Sequence, residues 1–317
     1  MPNDLKKRIG VIEMTSSRKH ASWSVILIII IAAALTYFRS PAQKTSGPLP
    51  EPRHELTVTF IDVGQADSIL IRSAGGRTML IDTGNREDAD LVQRQVEQTA
   101  NRSASGEPVL DVVIGTHPHE DHIGGLAALI RSSEVGRIVM PRAETNTITF
   151  EDTLAAIKER GLRITPARSG LELDLDSETK VEFLAPNGDS YDDLNNYSAV
   201  VKLTYQQIAL IFTGDAERLS EREMLDRSYD LRADILKIGH HGSRSSTGAA
   251  FLKAVGPRYA VISVGAGNSY GHPSQAVLKR LAKAGIKVFR TDQDGTVTFR
   301  SNGERIIWET SKGAVSE

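Results

Sequence analysis

An α/β fold in one large domain is predicted by three observations: short apolar runs that end in an acid or a glycine, segments of helical periodicity between them, and enough chain after residue 50 to bury one sizeable core. Such domains run past roughly 200 residues undivided. Strands are expected at 56–62, 68–73 and 78–82, with Gly75-Gly76 as the turn within this cluster. A helix is expected at 88–98, a mostly apolar strand at 110–115 and a helix at 123–132. Strands at 137–140, 180–184, 199–204 and 209–213 then alternate with helical stretches at 150–159 and 219–226. A further strand covers 235–239, and later strands at 259–264 and 287–290 flank a helix at 275–284. In that helix Val277, Leu278, Leu281 and Ala282 fall at helical spacing. The pattern fits a two-sheet sandwich with outer helices, and no short internal repeat is visible.

The first 54 residues are organised differently. A basic tail, 1–20, carries Lys6, Lys7, Arg8, Arg18 and Lys19 and is expected in the cytoplasm. The uncharged run 21–38, with four consecutive isoleucines between Trp23 and Tyr37, is near the lower length limit for crossing a roughly 30 Å hydrocarbon layer and reads as a single membrane anchor. Arg39, Lys44 and Arg53 follow it, so the bias of positive charge is modest; it favours an internal N-terminus and a cell-membrane protein with its catalytic domain on the extracytoplasmic side. Cleavage after Ala34 or Ala42 is the alternative, and the long basic region favours retention. Residues 39–54, with Pro41, Pro48, Pro50 and Pro52, read as an extended linker; 55–309 is the domain and 310–317 a tail. A net charge of −2 argues against a broadly basic surface that coats nucleic acid. With no cysteine, thiolate ligands and disulfides are excluded.

The chemistry concentrates in Thr116-His117-Pro118-His119-Glu120-Asp121-His122-Ile123-Gly124-Gly125, directly after the strand at 110–115. In an extended turn His117 and His119 point the same way, and Asp121 and His122 come next as the chain bends into a helix. Imidazole nitrogen with carboxylate oxygen suits a borderline divalent ion such as zinc, with manganese or iron as alternatives.

These residues resemble the HxHxDH motif of the metallo-β-lactamase-fold hydrolases, and that resemblance implies a four-layer αββα sandwich. Further segments agree in order: Asp82-Thr83-Gly84, similar to the family's early Asp motif that orders the metal loop; Gly214-Asp215, whose carboxylate in the family bridges two ions; and His240-His241, one of which completes the second ion's set. A narrower resemblance, over 55–308, is to the soluble hydrolase domain of ComEC-type DNA-uptake competence proteins, carried by Asp62-Val63-Gly64-Gln65-Ala66-Asp67-Ser68, Lys237 with the histidine pair, Tyr270-Gly271-His272-Pro273-Ser274 and Arg290-Thr291-Asp292. The chain departs from the pattern at Ala66, usually glycine, and in having no histidine between His122 and Asp215. The polar turn Asn195-Asn196-Tyr197-Ser198 is the candidate substitute, and turn formation alone is its competing explanation.

The resemblance implies one or two divalent ions, zinc or manganese: His117, His119 and Asp215 around one, and Asp121, His122, Asp215 and His240 or His241 around the other. A divalent ion lowers the pKa of bound water from roughly 15.7 to about 7, so hydrolysis is expected. The resemblance also implies that Asp121 orients the water, that Lys237 contacts a substrate phosphate, with a solvated strand-end lysine as the alternative, and that His272 protonates a leaving oxygen, with a structural role before Pro273 as the alternative. The implied substrate is a phosphodiester, DNA first. Because the multi-span channel of competence proteins has no counterpart in 317 residues, transport would need a membrane channel partner. Choline-phosphate esters of the envelope, or a non-catalytic tethered binding module, are the alternatives.

Overall fold

The computed structural model describes residues 55–227, 229–313 and 315. The tail, membrane span and linker expected over 1–54 lie outside these residues. No helix among the described residues is long and apolar enough to cross a membrane.

Strand β1 (Leu56–Phe60) alternates buried and half-buried residues, the period-two signature of a strand with one face on a core. It pairs antiparallel with β2 (Ile69–Arg72), which turns into β3 (Thr78–Ile81). After the short β4 (Val109–Leu110), β5 (Val112–Ile114) joins β3 in parallel. The short β6 (Glu134–Val135) pairs with β4, and β7 (Ile138–Met140) and β8 (Ile164–Pro166) extend the parallel part of the sheet. The second sheet opens with β9 (Glu172–Asp174), β10 (Thr179–Ala185), β11 (Val200–Tyr205) and β12 (Ile208–Phe212), all antiparallel. It continues in parallel through β13 (Ile235–Lys237), β14 (Tyr259–Ile262) and β15 (Lys287–Arg290). The hairpin β16 (Val297–Ser301) and β17 (Ile306–Thr310) then returns to the first sheet beside β1, giving sheets of eight and seven strands.

Three apolar clusters show the layering. Phe60, Ile71 and Ile81 of the first sheet meet Val181, Leu203 and Phe212 of the second in the central core. On the outer face of the first sheet, Leu70, Leu80 and Ile138 pack against α1 (Ala89–Thr99), α3 (Leu126–Ser132) and α4 (Ile148–Glu159), with the single turn α2 (Glu120–Ile123) ahead of α3. On the outer face of the second, Ile211, Leu236 and Ala260 pack against α5 (Arg218–Asp226), α6 (Ala249–Val255) and α7 (Gln275–Lys283). Helix, sheet, sheet, helix is the order expected.

The differences are local. The helix expected over 123–132 is broken into α2 and α3, because Gly124 sits against the 83–86 turn: a Cβ there would lie 2.4 Å from the Arg86 nitrogen. Strands β8, β9, β16 and β17 and helix α6 were not expected. The first two are three residues each, β8 ending in a proline, and α6 has seven residues, too few to display a helical period. The last strand runs through Thr310, one residue beyond the expected domain end.

Candidate metal centre

The loops at the carboxyl ends of the parallel strands β3, β5, β12 and β13 converge at one edge of the sandwich. The chain leaves β5 through Gly115 and Thr116, and a buried carboxylate ties Thr116 to His122, with the N–H groups of Ala199, Asp67 and Thr83 donating to the carbonyls of Thr116, Asp121 and His122. Asp82, at the end of β3 with φ 57°, accepts from the Thr116 N–H and hydroxyl, both at 2.7 Å, and from His122 Nδ1 at 2.7 Å. Burial pushes the Asp82 carboxyl up, and His122 opposes that. With Nδ1 so engaged, His122 turns Nε2 toward Asp215 Oδ1, 3.3 Å away. A carboxylate behind a histidine fixes its ring and tautomer in this way at metal sites.

Asp215 is buried in the turn after β12, its N–H donating to Ser198 Oγ, which also lies 3.4 Å from His117 Nδ1. Its two oxygens face different groups. Oδ1 lies toward His122 and, at 3.7 Å, His241 Nε2; Oδ2 lies 4.0 Å from His117 Nε2 and 3.7 Å from His240 Nε2. On the Oδ1 side Asp121 Oδ2 is 3.1 Å from His241 Nε2 and 3.8 Å from His122 Nε2. Ligand atoms of Asp121, His122, Asp215 and His241 all lie within 4.8 Å of one another. On the Oδ2 side His117 Nε2 and His119 Nδ1 are 2.9 Å apart.

Histidines 240 and 241 both adopt left-handed backbone, φ 50° and 51°, which β-carbon-bearing residues hold only when their surroundings impose it. His241 Nδ1 donates to the Ser263 carbonyl at 2.9 Å, freeing Nε2 for the cluster, while His240 Nδ1 lies 3.4 Å from Glu217 Oε1. Gly242 turns the chain away at φ 85°, where any Cβ would lie 2.6 Å from Pro273.

The electrostatics match a cation site. Burial lowers His117 well below the ordinary imidazole range, and the charge of His122 adds to this, so its lone pair is free to bind. Burial also opposes a charge on His122 and His241, yet the neighbouring carboxylates, Asp215 foremost, raise both. Burial likewise disfavours the charge of Asp121 and Asp215, and those imidazoles outweigh it, holding both carboxyls below the usual range. His122 Nε2 and Asp215 Oδ1 are buried without a well-directed hydrogen bond from the protein, an expensive state unless a ligand engages them. Carboxylates and neutral imidazoles with orphaned donor atoms are the donor set a divalent ion takes.

A second cluster, Asp67, Asp82 and His122, lies behind the first. Lys237 already supplies its cation, with Nζ 2.6 Å from Asp67 Oδ2. Lys237 is fully buried and also donates to the carbonyls of Ile238 and Gly214. The structure therefore places it beneath the ligands, away from the cleft wall where a phosphate-contacting lysine was expected. His272 does stand in the cleft, 5.6 Å ring to ring from His240, its pKa lowered by burial and by His240 and His241.

The cleft itself, about 340 Å³, is lined by His119, Asp121, Asp215, His240, His241 and His272 with Gln65, Glu120, Asn195 and Tyr270. A larger hollow of about 660 Å³ between Glu55 and the β16–β17 turn has no imidazole in its lining, so volume alone does not mark the site. Sequence reasoning did not single out Gln65, Glu120 or Tyr270 as lining residues, nor the Asp67–Lys237 pair. Asn195, on the polar turn proposed to replace a histidine, does reach the cleft, with its Oδ1 unpartnered.

Two sheets packed face to face, with a buried aspartate between two imidazole groups at their shared edge, define a class of metal-binding α/β sandwiches. The chain belongs to the Metallo-beta-lactamase superfamily, whose family model matches residues 61–266. It is 34% identical over 254 residues to ComE operon protein 3 of Bacillus subtilis (strain 168), covering 77% of this chain and 33% of that protein. To Competence protein ComA of Neisseria gonorrhoeae it is 32% identical over 253 residues, covering 80% of this chain and 33% of that one. The chain thus spans about a third of the length of these curated relatives. Among solved structures, the metallo-beta-lactamase fold protein YhfI from Bacillus subtilis superposes with a TM-score of 0.50 at 14% identity, over 74% of this chain and 95% of that chain, a likeness of fold.

Proposed function

We propose that the chain is a metal-dependent phosphodiesterase, with DNA as its first candidate substrate, tethered to the outer face of the cytoplasmic membrane by residues 21–38. The observation that carries the reading is Asp215, whose oxygens face two separate imidazole groups at the floor of an open cleft. Asp121, His122, Asp215 and His241 would hold one ion. His117, His119 and Asp215 would hold a second, with His240 the remaining imidazole on that side. Bound zinc or manganese supplies Lewis-acid charge and a water acidic enough to ionise near neutral pH.

The protein groups divide the rest of the work. Asp121, partly open to the cleft, would also orient the attacking water. His272, which also lines the cleft, would exchange a proton with the leaving oxygen. Lys237 acts through Asp67, fixing the floor on which the histidines stand. Likeness to competence proteins supports DNA, and a membrane channel is the partner proposed for a role in uptake.

The test is metal content of the purified full chain, paired with hydrolysis of a generic phosphodiester and of single-stranded DNA with added manganese or zinc. Metal-dependent cleavage supports the proposal. Bound metal without cleavage of either moves the substrate to another ester, and a chain that takes up no metal fits the binding-module alternative.

A further inference from the structure

Tyr270 is 71% exposed, an unusual state for a large aromatic side chain at the mouth of a polar cleft. Its backbone is nevertheless clamped. Asn268 Oδ1 accepts from the N–H of Tyr270 at 3.2 Å and of His272 at 3.1 Å, while Asn268 Nδ2 donates to the carbonyls of Gly265 and His272. One ring face lies near His272, centroids 5.9 Å apart and planes 24° from parallel. His272 in turn meets His240 edge-on, so a run of rings leads from the rim to the cluster around Asp215.

The second observation is electrostatic. Among the described residues that line the cleft there is no lysine or arginine, whereas Glu120, Asp121 and Asp215 all face it. A polyanionic chain lying there meets no lysine or arginine, so apart from the imidazoles and any bound metal, contact with the bases is the means left to add affinity. An aromatic ring held in place offers that contact to any base, because every base has a π face.

We infer that Tyr270 is the base-stacking platform of the cleft, selecting single-stranded nucleic acid by the face of one unpaired base without reading its identity. The inference rests on the phosphodiesterase reading for its substrate class, and its test is independent of turnover. Binding of the full chain to a fluorescent oligothymidylate and to an abasic oligomer of equal length is compared by anisotropy, with a chelator present so that nothing is cleaved. The wild type should prefer the oligothymidylate about tenfold, the value of one stacked base. Tyr270→Ala should abolish the preference and Tyr270→Phe should keep it. No preference in the wild type, a preference that survives Tyr270→Ala, or no binding to either oligomer overturns the inference. A base preference without any hydrolysis would leave Tyr270 in place and remove the hydrolase reading, whereas hydrolysis of a simple phosphodiester without base preference would remove only the role of Tyr270.

Discussion

The two banks of the cleft are built on opposite plans. On one, residues 115–125, the side-chain bonds centre on one carboxylate, with three hydrogen bonds of 2.7 Å converging on Asp82 from Thr116 and His122, while the N–H groups of Asp67, Thr83 and Ala199 donate to the carbonyls of Asp121, His122 and Thr116. On the other, the loop 239–248 is held from many directions. Gly239 N–H donates to Thr247 Oγ1, Ser246 Oγ to the Ala216 carbonyl, Arg218 Nη2 to the Arg244 carbonyl and Gly248 N–H to Glu221 Oε2. Arg280 Nη1 closes the loop on the Thr247 carbonyl. The first bank combines one carboxylate anchor with main-chain bonds to neighbouring loops. The second holds two left-handed histidines by contacts spread from Ala216 to Arg280, and its geometry should yield in smaller steps when any one is removed.

The sharpest test of the first bank is Asp121→Ala. Its side chain is about a third exposed and contributes to the cluster more than to the core. Turnover of a phosphodiester should fall about 10³-fold through loss of a ligand that also positions the water, while the melting temperature moves by a few degrees at most. Equal activity in the variant would remove the proposed role of Asp121.

Lys237→Met probes the layer joining the banks. It leaves the Asp67 carboxylate buried without its ammonium partner, a change that typically costs about 3–5 kcal/mol. The loss should appear in urea unfolding, with Asp67→Asn in the same chain recovering part of it. A variant of full stability whose Michaelis constant rises for anionic substrates would instead restore the substrate-contacting lysine expected from sequence.

Asp82→Asn should act on metal rather than fold. The side-chain amide oxygen introduced there still accepts from Thr116, but the charge behind His122 is gone, and loss of such a partner lowers metal affinity about 10- to 100-fold. Competition with a chromophoric chelator measures it. Unchanged affinity would mean that the loop keeps its shape without the carboxylate charge.

The same contrast explains how much was legible in the sequence. The HxHxDH loop, Asp82 and Asp215 each sit at the end of an apolar strand, so local pattern locates them. The side of Asp215 on which each of His240 and His241 falls is set by left-handed backbone and by Ser263 and Glu217, partners that no spacing reveals. Lys237 shows the converse case. As a lysine in an apolar strand before a histidine pair it suggests an anion contact, and only the fold brings Asp67 to within 2.6 Å of it. The hairpin β16–β17 was legible in principle, since Val297–Ser301 alternates and Asn302-Gly303 marks its turn.

The smallest effect expected on the metal centre is at the second bank, at Glu221. This carboxylate of α5 is buried, accepts from the Gly248 N–H at 2.8 Å and has its pKa pushed up to about 7 by burial, against the pull of that N–H and of Arg218 and Arg280. Between the ordinary pKa of 4.5 and about 7 the folded chain holds a proton that the unfolded chain has lost. This contribution is therefore neutral to stability below that window, erodes it as pH rises through the window, and levels off above it. The full cost is about 3 kcal/mol at pH 8, from roughly 1.4 kcal/mol per pKa unit. Glu221→Gln keeps an acceptor for Gly248 without the ionisation, so its stability by urea unfolding should match the wild type near pH 4 and exceed it by about 3 kcal/mol at pH 8. Parallel pH dependences in the two proteins would show that the loop does not feel the Glu221 proton. A gain at pH 8 without change in metal affinity would show that the second bank tolerates the loss of one charged contact, as its dispersed construction implies.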